Sequence, residues 1–140
     1  MHNLNVRIIV MIVIALLAII GLVVTSLVAR RVRAQALQRK FERQWLAVQR
    51  QCAKSETWPT AVIDADKLID DVLRAMNFKG KGMGERLVSA QRTLTDNDAL
   101  WFAHKLCGRI ANDEMNRLYK KDVQAALRGY RRALQDLGVL

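Results

Sequence analysis

Five residues in one short stretch have the makings of a chemical site. His104, Lys105, Gly108, Arg109 and Asn112 fall within about 140° of a helical wheel drawn at 100° per residue. An imidazole can move a proton near neutral pH, and the two cations beside it can hold an anion. The set is therefore a candidate polar or anion-binding face.

A second candidate is the run Lys79-Gly80-Lys81-Gly82-Met83-Gly84. Alternating glycines with lysines can turn backbone N–H groups toward a phosphate at a helix start. The spacing is neither GxxxxGK[ST] nor GxGxxG after a strand, and it reads equally as a turn that caps a helix. Asp64, Asp66, Asp70 and Asp71 bring four carboxylates together in sequence. Metal binding would call for histidine or further oxygen ligands nearby. The expectation is a solvated face or salt bridges to basic helices, with no metal and no cofactor. Cys52 and Cys107 show neither CxxC nor ligand spacing, and they read as free thiols packed among apolar helical positions.

The elements that must position these residues are all helical. Ile8 to Ala29 is a run of 22 residues without a charge, about 33 Å as a helix, against a hydrocarbon core of about 30 Å. In lipid a lone strand would leave its backbone unpaired, so helix is expected despite the β-branched residues. The run is too long for a signal-peptide core and has one basic residue, Arg7, before it. Arg30, Arg31 and Arg33 follow it, with Arg39, Lys40 and Arg43 beyond. The positive-inside rule then leaves residues 1–7 outside, 8–29 across the membrane and the rest in the cytoplasm.

Residues 30–57 read as a basic juxtamembrane stalk, its helix spanning about 31–54. Leu37, Phe41, Trp45, Val48 and Cys52 make one apolar stripe, which fits either docking on the following domain or a coiled coil between copies. Trp58-Pro59 opens a helix expected over about 59–77, with Val62, Ala65, Leu68, Ile69, Val72, Leu73 and Met76 inward. A short helix is expected over about 84–93. Thr95 and Asp98 have capping-box spacing ahead of the apolar segment Ala99 to Ala111, with Leu94 as a staple. The last helix is expected over about 113–137, with Met115, Tyr119, Val123, Leu127, Tyr130, Leu134 and Leu137 inward and Gly138 as its C-cap. Asn112 is expected to cap its start. Arg117, Lys121, Arg128, Arg131 and Arg132 form a basic stripe on its outer face. The fold class is thus all-α: a transmembrane helix followed by a bundle of four to five helices over residues 58–140.

The chain carries a net charge of +10 over 140 residues. Beyond Ala29 it has 22 basic and 13 acidic side chains, so the domain should seek polyanions: anionic lipid headgroups, nucleic acid or an acidic protein.

Three segments carry a resemblance: AVIDADKLID over residues 61–70, FKGKGMGERL over 78–87 and AHKLCGRIANDE over 103–114. They are similar to segments of HEPN-type helical domains and, more narrowly, of small membrane-anchored proteins of candidate-phyla bacteria of the Saccharibacteria type. The resemblance covers roughly residues 58–137. It implies a helical bundle that pairs through the helices carrying the family motif. HEPN domains that cut RNA do so without metal, using an Arg, a polar residue and, after three more, a His. Those positions here are Cys107, Gly108 and Asn112, so the resemblance implies the fold and argues against the nuclease. The expectation is a non-catalytic, membrane-tethered interaction domain that self-associates. The alternative is an RNA- or nucleotide-binding domain, and the third reading is a metal-independent ribonuclease built on a displaced His104/Arg109 pair.

Overall fold

A computed structural model describes residues 2–115 and 117–140, with the side chains of residues 2–5 left undescribed. The described chain is all-α. Helix α1 spans His2–Gln51, α2 Trp58–Ala75, α3 Met83–Ala90, α4 Asn97–Ala111 and α5 Lys120–Asp136, with a single 3-10 turn at Ser55–Thr57 before α2. Of the seven N-terminal residues expected outside the membrane, Met1 lies outside the described residues.

The chain divides into two compact units, Met1–Gln38 and Arg39–Leu140. The first contains the apolar run. α1 is long and apolar enough to cross a membrane, with a mean hydropathy of 3.3 in its apolar window and none of that window buried in protein. Inside the run, Thr25 Oγ1 donates to Leu22 O at 3.0 Å and Ser26 Oγ to Val23 O at 2.7 Å. Such back-bonding satisfies hydroxyls that hydrocarbon could not.

The second unit begins inside what the sequence reads as a stalk. Phe41, Trp45 and Val48 are buried in the core of this unit and Cys52 is half-buried. The stripe therefore docks on the bundle from Phe41 onward. Leu37 departs from it: it belongs to the first unit and is exposed.

The core is built from Val62, Leu68, Ile69, Val72 and Leu73 of α2, Leu87 of α3, Leu100, Ala103 and Leu106 of α4, and Val123, Tyr130 and Leu134 of α5. Pro59 sits in the first turn of α2, where its missing N–H is no loss. Three helices end alike. Asn77, Asp113 and Gly138 have φ of 63°, 55° and 70°, and the next residue in each case turns its N–H back into the helix: Phe78 to Leu73 O, Glu114 to Arg109 O and Val139 to Leu134 O. These are Schellman closures. The expected C-cap role of Gly138 follows from its position.

The second closure corrects the expected last helix. With Asp113 left-handed, α4 stops there, and α5 begins only at Lys120. Asn112 caps the end of α4 rather than the start of α5, and its Nδ2 donates to Glu114 Oε1 at 3.3 Å. Tyr119, expected inward, is 50% exposed, because the inward stripe starts at Val123. Met76, also expected inward, is exposed as the cap residue of α2. The Thr95/Asp98 box is not made. Asp96 is the cap of α4, accepting from Ala99 N at 3.0 Å. Thr95 instead donates from N and Oγ1 to Asp136 Oδ2, both at 2.8 Å.

α4 and α5 approach backbone to backbone at Gly129. A Cβ there would lie 2.6 Å from Ala99 O and 2.9 Å from its carbonyl carbon. Alanine is favoured over glycine in a helix by about 1 kcal/mol, but overpacking against a carbonyl that cannot rotate away costs about 1–3 kcal/mol. Gly129→Ala is expected to be a net loss of up to about 2 kcal/mol once the helix gain is subtracted, read as a lower thermal midpoint. A raised midpoint, the result expected where the added methyl meets open space, would contradict the close approach.

Candidate functional site

The four aspartates of α2 do not act as a cluster. At 100° per residue Asp66 and Asp70 share one face of α2 while Asp64 and Asp71 turn away from it. Asp64 accepts from Gln51 Nε2 at 2.8 Å. Asp66 and Asp70 each serve as the centre of a separate network.

Asp66 joins three helices. His104 of α4 places Nδ1 at 3.0 Å from Asp66 Oδ1 and 3.2 Å from Oδ2. Tyr130 of α5, fully buried, donates its hydroxyl to the same Oδ1 at 2.9 Å. The carboxylate partner assigns the Nδ1 proton to donation. The hydrogen bond to Asp66 raises the His104 pKa above its ordinary value. Burial opposes the rise, and the charges of Asp66 and Asp70 add to it. Burial first, then the Asp66 charge, pushes the neighbouring Cys107 thiol up to about 12. The same causes, burial leading, push the Tyr130 phenol up. Both groups are neutral proton carriers at physiological pH. The His104 side chain is 28% exposed. Its ring meets Trp101 edge-on at 5.9 Å between centroids, and Nε2 lies against the start of α3, 4.0 Å from where a Gly84 Cβ would stand. An imidazole held this way can exchange a proton at Nε2.

Asp70 anchors the second network. It takes Arg74 Nη2 at 2.6 Å and Arg86 Nε at 2.7 Å. Arg86 is 5% exposed, and its Nη1 donates to Gly80 O at 2.6 Å. The glycine-lysine run is folded around this arginine. Lys81 N donates to Glu85 Oε2 at 2.7 Å, and Lys79 O accepts from Ser89 Oγ at 2.6 Å. A Cβ on Gly80 would fall 2.6 Å from Arg86 N, so the close approach requires glycine. The run presents carbonyls to α3 and gives the Lys81 amide to Glu85, while Lys79, Gly80, Lys81 and Gly82 are themselves exposed. This is the geometry of the capping turn.

The polar face of α4 is not one site. His104, at one edge of the 140° arc, reaches Asp66 on α2. Lys105, Gly108, Arg109 and Asn112 are exposed, and the arc is wide enough that its two edges meet different neighbours. Cys107 is buried, whereas a Cβ on Gly108 would meet nothing within 4 Å. The basic stripe is exposed at Lys121, Arg128, Arg131 and Arg132 of α5, while Arg117, expected on the same helix, is exposed on the segment ahead of it because α5 begins only at Lys120. Arg117 and Lys121 lie 5.4 Å and 5.8 Å from the Tyr119 ring centroid, within cation–π range. Arg132 is tied to Thr95 Oγ1 at 2.8 Å and to Asp136 at 3.7 Å. Arg30, Arg31 and Arg33 are exposed on α1 beside the apolar run.

Sequence reasoning missed Arg86 and the joining of Asp66 to His104 and Tyr130. A signal was present for each. Arg86 sits beside Leu87 and one turn before Ala90 on the inward side of a short helix, where a guanidinium needs a carboxylate. Tyr130 stands in the apolar stripe of α5, and a buried phenol seeks an acceptor.

No family model, curated protein or solved structure matches the chain.

Proposed function

We propose that the chain is a membrane-tethered, non-catalytic helical interaction domain that associates with copies of itself, with its N-terminus outside and its bundle on the cytoplasmic face. One observation carries the reading. The side chains best able to do chemistry are engaged in structural networks, Asp66 with His104 and Tyr130, and Asp70 with Arg86, while Lys105, Arg109, Arg117, Lys121, Arg128 and Arg131 are exposed. Charge displayed outward with chemistry turned inward suits recognition of a partner surface. The orientation rests on Arg30, Arg31 and Arg33 following the apolar run, where they would also meet anionic headgroups. The resemblance to HEPN-like domains, which pair through the motif helix, supports self-association. Confinement to a membrane raises the effective concentration of such copies.

The test is energy transfer between two fluorescent fusions of the full chain, co-reconstituted in bilayers at graded densities. The expected result is transfer above the level for randomly mixed, non-interacting anchors. Transfer that merely follows density would refute self-association.

A second reading is favoured by the Tyr119 cluster. An exposed ring flanked by two cations is the pairing of stacking face and phosphate contacts used on single-stranded RNA. If that reading holds, an oligouridylate binds the full chain with an affinity that falls steeply with salt and that Tyr119→Ala lowers about tenfold, the equivalent of losing about 1.4 kcal/mol of stacking. Affinity indifferent to both would dismiss it.

A further inference from the structure

Within the unit Arg39–Leu140, an open trough runs between the C-terminal part of α1 and α5. One stretch of about 360 Å³ is lined by Trp45, Gln49 and Cys52 on the α1 side and by Leu127, Arg128 and Arg131 on the other. A second stretch, about 290 Å³, shares Trp45, Gln49 and Arg131 and continues to Leu46, Gln135 and Leu140. The shared residues make the two stretches one surface.

Its chemistry is two-sided. Trp45 and the half-buried Leu127 give an apolar floor, and Leu46 and Leu140 stand exposed at its edge. Arg128 and Arg131 form the rim, exposed and outside the ion pairs found among the described residues. Their neighbour Arg132 is by contrast held by Asp136 and Thr95. Glu42 is the acidic side chain among the lining residues, at the Leu140 end. A ligand that matches must offer apolar groups to the floor and negative charge to the rim.

A protein helix has that form. A groove between two helices can accept the apolar face of a third, and the lining positions 42, 45, 49 and 52 show that one face of α1 runs along the whole trough. Nucleic acid fits less well. Base stacking needs an open aromatic face, and Trp45 is 4% exposed. Lipid headgroups have their cations beside the apolar run, at Arg30, Arg31 and Arg33.

We propose that this trough docks an acidic amphipathic helix of a partner protein, its apolar face on Leu127, Leu46 and Leu140 and its carboxylates on Arg128 and Arg131. The proposal rests on the interaction-domain reading and names the class of partner.

The test uses the full chain in zwitterionic lipid nanodiscs and a fluorescent synthetic peptide of about 16 residues, roughly 24 Å of helix, with leucines on one face and glutamates on the other. Two controls accompany it: the same peptide with lysine for glutamate, and a scramble of equal composition without an apolar face. The acidic amphipath should bind at micromolar concentration and both controls at least tenfold more weakly. Arg128→Glu with Arg131→Glu should weaken binding at least tenfold. Lys79→Glu with Lys81→Glu, an equal change of charge elsewhere, should leave it unaltered. Bound peptide should also slow alkylation of Cys52, which lines the trough. Both double variants alter exposed side chains, and their melting curves check that they fold.

Equal losses in the two double variants, or equal binding of the scramble, would reduce the effect to bulk charge and overturn the proposal. So would an oligouridylate, or phosphatidylglycerol placed in the disc, that depends on Arg128 and Arg131 where the acidic peptide does not. Failure of the peptide with energy transfer between copies intact removes the helix-docking inference and leaves the interaction-domain reading standing.

Discussion

Arg86→Ala is expected to destabilise the bundle by about 4 kcal/mol, the largest effect of any single substitution considered for this chain. The guanidinium is buried and holds two groups at once, the Asp70 carboxylate through Nε and the Gly80 carbonyl through Nη1. Removing it leaves an inward carboxylate with only Arg74, which reaches Asp70 from an exposed position. It also strips the partner from the carbonyl of a turn that closes onto α3. Breaking one side of a buried ion pair costs about 3–5 kcal/mol, a large share of the roughly 5–15 kcal/mol that holds an ordinary domain together. Arg86→Lys keeps the charge but has no planar fork to span both acceptors, so it should recover less than half of the loss. Urea denaturation of the full chain in micelles, followed by helical circular dichroism, measures both. A loss below about 1 kcal/mol for Arg86→Ala would mean that the pair behaves as an exposed one and that the burial seen here is wrong.

Asp66→Ala should cost about 3 kcal/mol. It removes the acceptor from the fully buried Tyr130 hydroxyl and the partner of His104 together. Tyr130→Phe, which removes a single neutral donor, should cost about 1 kcal/mol. The same network sets a pH dependence. The folded-state pKa of His104 is raised above 6.5, chiefly by its hydrogen bond to Asp66. A raised pKa means that folding favours the protonated imidazole. That stabilisation is complete below the unfolded value of 6.5 and is lost as pH climbs through the folded value above it. Stability should therefore fall with rising pH on the alkaline side of 6.5, and His104→Gln should flatten that fall. A wild type and a His104→Gln variant with parallel profiles would show that the pair is not formed in solution.

Much of this architecture was legible in the sequence. The apolar run, the stripe of Phe41, Trp45 and Val48, the Pro59 start and the Gly138 stop are periodic or local signals, and each falls where periodicity and capping place it. The failures share a cause: they depend on tertiary partners or on one backbone angle. Continuity of apolar residues through Met115 and Tyr119 suggests a long last helix, but the left-handed Asp113 ends α4 and delays α5 to Lys120. Thr95 has the right spacing for a local capping box, yet Asp136, distant in sequence, takes both its donors. The candidate site was half legible. His104 stands out by type. That Asp66, rather than Arg109, is its neighbour depends on how α2 packs against α4, which no spacing within one helix encodes. Arg86 was hidden by its surroundings, since a single arginine among glycines and lysines reads as surface charge until its carboxylate is found one helix away.

The meeting of Gly129 with Ala99 has a further consequence, for the order in which the bundle comes apart. Where two helices touch through side chains, they can separate slightly and repack by changing rotamers. Where a glycine lies against a carbonyl, no rotamer exists to change, and the contact is either made or lost. α4 and α5 should therefore behave as a single rigid plate, and their buried amides should exchange with deuterium only when the whole domain opens. The eight-residue α3 is the shortest helix of the bundle, with Arg86, Leu87 and Ala90 buried. It should breathe first. The arginine that holds it in place then acts as a latch on the most labile piece, and the glycine marks the hinge plate that never loosens alone.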